Sequence, residues 1–100
     1  MQTKDDSVNI WGLDVKMQPV LKHCDRIWKH YGQELVITSA RDGLHSAGSL
    51  HYYGLAVDCR TRYFDDITKK AVAAEVKEAL GSDYDVILHS THLHVEYDPE

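Results

Sequence analysis

The amino-acid sequence predicts an α+β fold: a small antiparallel sheet of about four strands with two helices on one face. Three observations carry that prediction. Two stretches repeat apolar residues at spacings of three and four. Four others are short, and are either wholly apolar or alternate with a period of two. The order of these six does not alternate strictly between the two types. A chain of 100 residues has room for one hydrophobic core and not for two.

Residues 1–13 are polar and aperiodic, with Val8, Ile10, Trp11 and Leu13 available to pack. They read as an N-terminal arm with mobile first residues, and residues 14–100 as the domain. From Met17 the apolar positions run Met17, Val20, Leu21, Cys24, Ile27, Trp28 and Tyr31, one face of a helix; Pro19 suits its first turn and Gly32 the position after its end. Trp11, Trp28 and Tyr31 are expected in the core or stapled onto it. Leu35 to Thr38 reads as a short buried strand, and Ser39 to Ser49 as a polar loop long enough to carry function. Leu55, Val57 and Cys59 alternate with Ala56, Asp58 and Arg60, which is strand periodicity. A second helix follows, capped by Asp65 or Asp66, striped by Ile67, Val72, Val76, Ala79 and Leu80, and closed by Gly81. Tyr84 to Leu88 and His92 to Tyr97 then form two strands around the turn His89-Ser90-Thr91.

Eleven Lys and Arg against sixteen Asp and Glu give a net charge of −5, with no basic block. Nucleic acid is therefore not an expected partner. No apolar run approaches the ~20 residues that span a bilayer, and no apolar region with a cleavage site follows the N-terminus, so neither a membrane span nor a secretory signal is expected. Cys24 and Cys59 lack metal-knuckle or dithiol spacing and read as reduced, buried thiols, with a disulfide as the alternative. Histidine departs from ordinary usage: there are seven, three of them at His89, His92 and His94. Such clustering points to a metal or to acid–base chemistry.

In the last strand a period of two puts His92, His94 and Glu96 on one face and Leu93, Val95 and Tyr97 on the other. The apolar set belongs to the core, so the histidines face away from the helices. The same alternation turns Asp58 away from the face that Leu55 and Val57 bury. Catalytic zinc takes imidazole nitrogen and carboxylate oxygen from three protein ligands and keeps a fourth position for water. His51, Asp58 and His94 would make that set.

Ser49, His51, Gly54, Ala56 and Asp58, followed by His92-Leu93-His94, resemble the zinc D-Ala-D-Ala peptidase superfamily. That group embraces D,D-carboxypeptidases, D-Ala-D-Ala dipeptidases, L-Ala-D-Glu endolysins, penicillin-insensitive murein endopeptidases and the Hedgehog signalling domain. Its pattern is Ser, any, His, two any, Gly, any, Ala, any, Asp, with a later His-any-His, and every specified position is met. Ile37 to Asp42 also resembles the strand and arginine that precede the motif. The resemblance covers residues 17 to 97.

The resemblance implies a Hedgehog/DD-peptidase-like fold and one zinc ion held by His51, Asp58 and His94. It places Arg41 on the substrate carboxylate or the developing oxyanion, and His92 beside the reacting water. Ser49 would hold the ligand loop, on the substrate side of the site. Many members carry Asp or Glu three residues before the last ligand as general base, where this chain has Thr91. The run from His89 to His94 resembles instead the murein endopeptidase branch, so His92 or His89 would relay the proton, with His89 also counted among the substrate-binding residues and Asp83, Asp85 and Glu96 as fallback carboxylates.

The function implied is a zinc metallopeptidase, a hydrolase of the endolysin type that cuts an amide bond in the peptide stems of bacterial peptidoglycan. Its activity would be that of a D,D-carboxypeptidase or an endopeptidase, on a bond involving D-alanine or D-glutamate. It would work as a monomer with no nucleic-acid or membrane partner. Without a signal it would be made in the cytoplasm of a bacteriophage host and reach the cell wall after release, or act as a virion component. The competing class is a non-catalytic zinc module that binds cell-wall or protein partners, which Thr91 keeps open. The remaining prominent side chains have plainer readings: His23 and His30 are solvated, His45 is an exposed loop residue, and one of Tyr52 and Tyr53 packs while the other lines a groove.

Overall fold

A computed structural model describes residues 1–40 and 54–99. Arg41, His45, Ser49, His51, Tyr52 and Tyr53, and with them most of the Ser39–Ser49 loop, lie outside those residues. The described elements are strand β1 (Gln2–Thr3), helix α1 (Gln18–His30), strands β2 (Val36–Ser39) and β3 (Ala56–Arg60), helix α2 (Asp66–Leu80), and strands β4 (Tyr84–Leu88) and β5 (His92–Tyr97). They form an α+β architecture with strand order β1-β2-β3-β5-β4. None of the described helices is long and apolar enough to cross a membrane.

Two features of the predicted sheet are corrected. It has five strands instead of four, and it is mixed instead of antiparallel, because β1 runs parallel to β2. Only two residues long, β1 is too short to show a period; it is held by backbone bonds from Gln2 N–H to Leu35 O (2.7 Å) and from Lys4 N–H to Ile37 O (2.9 Å). The first residues of the arm are thus paired into the sheet instead of hanging free. Val8 is buried, but Trp11 is 93% exposed, against the expectation that it joins the core.

The helices follow their caps. Asp14 accepts the Lys16 N–H (2.9 Å) and opens a single 3-10 turn, Val15–Met17, so α1 proper starts one residue after the expected Met17. Pro19 occupies its first turn, where a missing N–H leaves no bond unmade. Gly32, at φ +79°, ends it. Of the two candidate caps for α2, Asp65 takes the role, accepting the Thr68 N–H at 2.7 Å. Ile67 is 82% exposed and does not belong to the helix's apolar stripe. Five residues separate it from buried Val72, a rotation of about 140° around the helix, so the two cannot share a face.

One core joins the helices to one face of the sheet. Val20, Cys24, Ile27 and Trp28 of α1 and Val72 and Val76 of α2 meet Val57, Cys59, Leu93 and Val95. Trp28 is fully buried, donates its indole N–H to the Arg60 carbonyl (3.0 Å) and meets Phe64 edge-on at 5.9 Å. Cys24 and Cys59 are buried free thiols, as the lack of any motif spacing predicts. Hydrogen bonding between them, with burial adding to it, pushes the Cys59 thiol well above its ordinary pKa. Gly54 sits at φ +73°, and a Cβ there would lie 2.4 Å from the Gly12 carbonyl oxygen. Asp14 N–H donates to the Gly54 carbonyl (2.8 Å), so this motif glycine also seats the arm.

Candidate functional site

The helix-free face of the sheet is built by the alternation in β3 and β5. Leu93 and Val95 are fully buried, while His92, His94 and Glu96 are half-buried on the opposite side. Ala56, Asp58 and Arg60 stand opposite Glu96, His94 and His92 in the β3·β5 register. Asp58 and His94 are therefore cross-strand partners, and the short distance between residues directly opposite brings their side chains together.

His94 is held at both ring nitrogens. Its Nδ1 lies 2.8 Å from Asp58 Oδ1 and its Nε2 lies 2.7 Å from Glu96 Oε1. Hydrogen bonding to Asp58 raises the His94 pKa; burial opposes this, and Glu96 adds to it. His92 Nε2 lies 4.0 Å from the same Asp58 Oδ1, so two imidazoles converge on one carboxylate. His89, in the turn after β4, stacks on His92 with centroids 4.7 Å apart and meets His94 edge-on at 6.4 Å. Its N–H donates to the His92 carbonyl (2.9 Å), which ties the turn to the strand.

Thr91, at the position where the resemblance leads to the expectation of a carboxylate, is exposed and places its hydroxyl 3.2 Å from His92 Nδ1. It orients the imidazole without being able to act as a base. Of the other carboxylates expected as alternatives, Glu96 is engaged by His94 on the side of the ring away from Asp58. Asp85 is exposed and faces Glu96 across the β4·β5 ladder. Asp83 is exposed and lies just before β4.

β2 shifts register opposite Asp58: Ile37 pairs with Cys59, yet Ser39 pairs with Asp58. The extra residue, Thr38, reaches the Asp58 carbonyl with its hydroxyl at 3.4 Å. Bulges of this kind bend a strand and re-aim its side chains, and they gather beside functional sites. No hydrophobic pattern encodes this one, so sequence reasoning missed it.

The donor chemistry suits zinc at two of the three expected positions. Asp58 supplies oxygen and His94 nitrogen, and their ligand atoms converge on one point of the exposed face. Donor atoms of a tetrahedral zinc stand about 3.4 Å apart, so a change of about half an ångström would admit the ion in place of the shared proton. Glu96 then has the place of the carboxylate that a metal-bound histidine ordinarily binds through its other ring nitrogen. The third expected ligand, His51, lies outside the described residues, as do Arg41 and Ser49. A second group, Asp85, Glu96 and Asp98, which shares Glu96 with the first, brings three carboxylates within 4.8 Å of one another. It offers oxygen alone, a set for harder cations, and exposed acidic groups of this kind are common without an ion.

No protein-family model matches the chain, and no curated protein matches it.

Proposed function

We propose that this chain is a zinc metallopeptidase that hydrolyses an amide bond in the peptide stems of bacterial peptidoglycan. The observation that carries the reading is the Asp58–His94 pair at 2.8 Å on the helix-free face, flanked by His92 and His89 and backed by Glu96. It lies within the Ser49–Asp58 and His92–His94 motif that resembles the zinc D-Ala-D-Ala peptidases.

In this reading His51, Asp58 and His94 would hold one zinc ion. When bound, zinc polarises a carbonyl and lowers the pKa of its water toward about 7. Glu96 holds the His94 ring in the orientation that directs Nδ1 toward Asp58. His92, oriented at Nδ1 by Thr91, accepts the proton of the attacking water at Nε2 and returns it to the leaving amine. His89 stacks on the His92 ring, with centroids 4.7 Å apart, and would meet the substrate from the turn after β4. Arg41 takes the substrate carboxylate or the oxyanion, since its planar fork matches either.

The test is digestion of purified peptidoglycan by the zinc-loaded chain, with the released fragments identified by mass spectrometry and His94→Ala as control. Stem fragments from the wild type alone are the expected result and name the bond cut. Intact peptidoglycan in both samples, with one zinc still bound to the wild type, would overturn the peptidase reading. One observation favours a second reading, a non-catalytic zinc module: Thr91 stands where many relatives of the motif carry their base, and its hydroxyl only orients His92. That module would hold zinc, cut nothing at any pH, and bind a wall or protein partner.

A further inference from the structure

Beside the candidate metal site the described face carries a second concave region with a different charge. Lys4, Arg60 and Arg62, with Thr38, Thr91 and His92, line a cleft of about 310 Å³. Three of these six side chains are permanent cations and none is acidic, in a chain whose acidic residues outnumber its basic ones sixteen to eleven. Among the described residues no carboxylate forms an ion pair with Lys4, Arg60 or Arg62.

The fold brings Lys4 beside Arg60 and Arg62, which lie more than fifty residues further along the chain. Lys4 follows β1 and is fixed by its backbone bond to Ile37. Arg60 ends β3 directly opposite His92. Arg62 follows Thr61, whose N–H donates to the Thr91 carbonyl at 3.1 Å and so ties this segment to the turn before β5. His92 belongs to both places, lining the cleft and facing Asp58 at 4.0 Å. Asp58 and Arg60 are two residues apart on one strand face, about 7 Å along the chain. The cleft therefore continues the candidate site by about the length of two extended residues.

We propose that this cleft is a carboxylate subsite, in which Lys4, Arg60 and Arg62 bind a free carboxylate of the peptide whose amide lies at Asp58 and His94. The proposal rests on the peptidase reading and names what that site selects. Arginine forks bind carboxylates in bidentate fashion, and lysine adds a compact point charge. A cleft lined by one sign of charge concentrates ligands of the opposite sign. It also offsets the repulsion that a chain of net charge −5 exerts on an acidic peptide. Peptide bonds next to D-alanine or D-glutamate leave such a carboxylate within one or two residues of the amide that is cut.

The experiment is calorimetric binding of the stem peptide L-Ala-γ-D-Glu-L-Lys-D-Ala-D-Ala to the full chain, with chelator present so that nothing is cut. It is run with the free acid, with the peptide amidated at D-Glu, and with the peptide amidated at its C-terminus. The free acid should bind at least about tenfold more tightly than one of the amides, and that amide identifies the carboxylate. Arg60→Gln with Arg62→Gln should abolish the preference, and Lys4→Gln should reduce it; circular dichroism verifies that each variant is folded. Equal binding of all three peptides, no binding at all, or a preference that survives the double substitution would overturn the proposal. Hydrolysis is measured separately with zinc restored. A chain that cuts without any such preference keeps the peptidase reading and loses the subsite. A chain that discriminates without cutting keeps the subsite and loses the peptidase.

Discussion

Glu96 shows how one side chain can hold another in place from the far side of its ring. Its Oε1 lies 2.7 Å from His94 Nε2, while Asp58 meets Nδ1 of the same ring. A carboxylate on the far nitrogen fixes the ring's tautomer and orientation and makes the near nitrogen a better donor. Glu96→Gln should therefore weaken zinc binding by about 10- to 100-fold without removing a ligand, as read by competition with a chromophoric chelator. Unchanged affinity would show that His94 does not bind the metal through the Asp58 side. The period of two in the last strand already placed Glu96 on the same face as His94. That it touches the ring is decided by rotamers, which no sequence pattern encodes.

At the scale of elements the local signals worked where the decisive contacts are local. Asp65 as cap of α2, Pro19 in the first turn of α1, Gly32 and Gly81 at the helix ends and the turn between β4 and β5 are all satisfied within a few residues of chain. The Thr68 N–H bond holds the Asp65 carboxyl below its ordinary pKa. A group whose folded pKa is depressed contributes stability above its unfolded pKa and loses it as pH falls through the folded one. The contribution of Asp65 is thus present at neutral pH and fades below about pH 4. Asp65→Asn keeps an oxygen for the Thr68 N–H but cannot titrate, so the urea midpoint of the variant should fall less between pH 4.5 and 2.5 than that of the wild type. Identical pH dependence of the two midpoints would remove Asp65 from the account of acid stability.

For the whole molecule, the core and the candidate site lie on opposite faces of the same sheet. Trp28, Val57, Leu93 and Val95 hold the helices to one side, and neither Asp58 nor His94, the expected ligands among the described residues, contributes to that cluster. Zinc should therefore stabilise the chain by binding the folded state without being required for folding. At a free concentration one hundred times its Kd, zinc should add about 2.7 kcal/mol. In a domain of this size that raises the melting temperature by about 10–20 °C. The chelated chain should keep the circular dichroism of a folded α+β domain. Unfolding on chelation would assign the metal a structural role instead.

Covalent geometry is why so much of the fold was legible in advance. The 3.6-residue turn of a helix and the two-residue alternation of a strand are properties of the backbone, so the faces of α1, β3 and β5 follow from residue order alone. The same alternation put Asp58, His92, His94 and Glu96 on the side away from the helices. Ile67 obeys the same geometry: its offset of about 140° from buried Val72 turns it away from the core. Trp11 shows the limit, since burying a large apolar residue also requires a place for it to pack. Strand pairing depends on backbone groups that every residue carries, so the parallel addition of Gln2–Thr3 and the bulge opposite Asp58 left no mark in the composition. The cationic cleft has the same origin. Lys4 comes beside Arg60 and Arg62 only when β1 joins the sheet, because long-range contacts are set by the packing of elements and not by the spacing of residues along the chain.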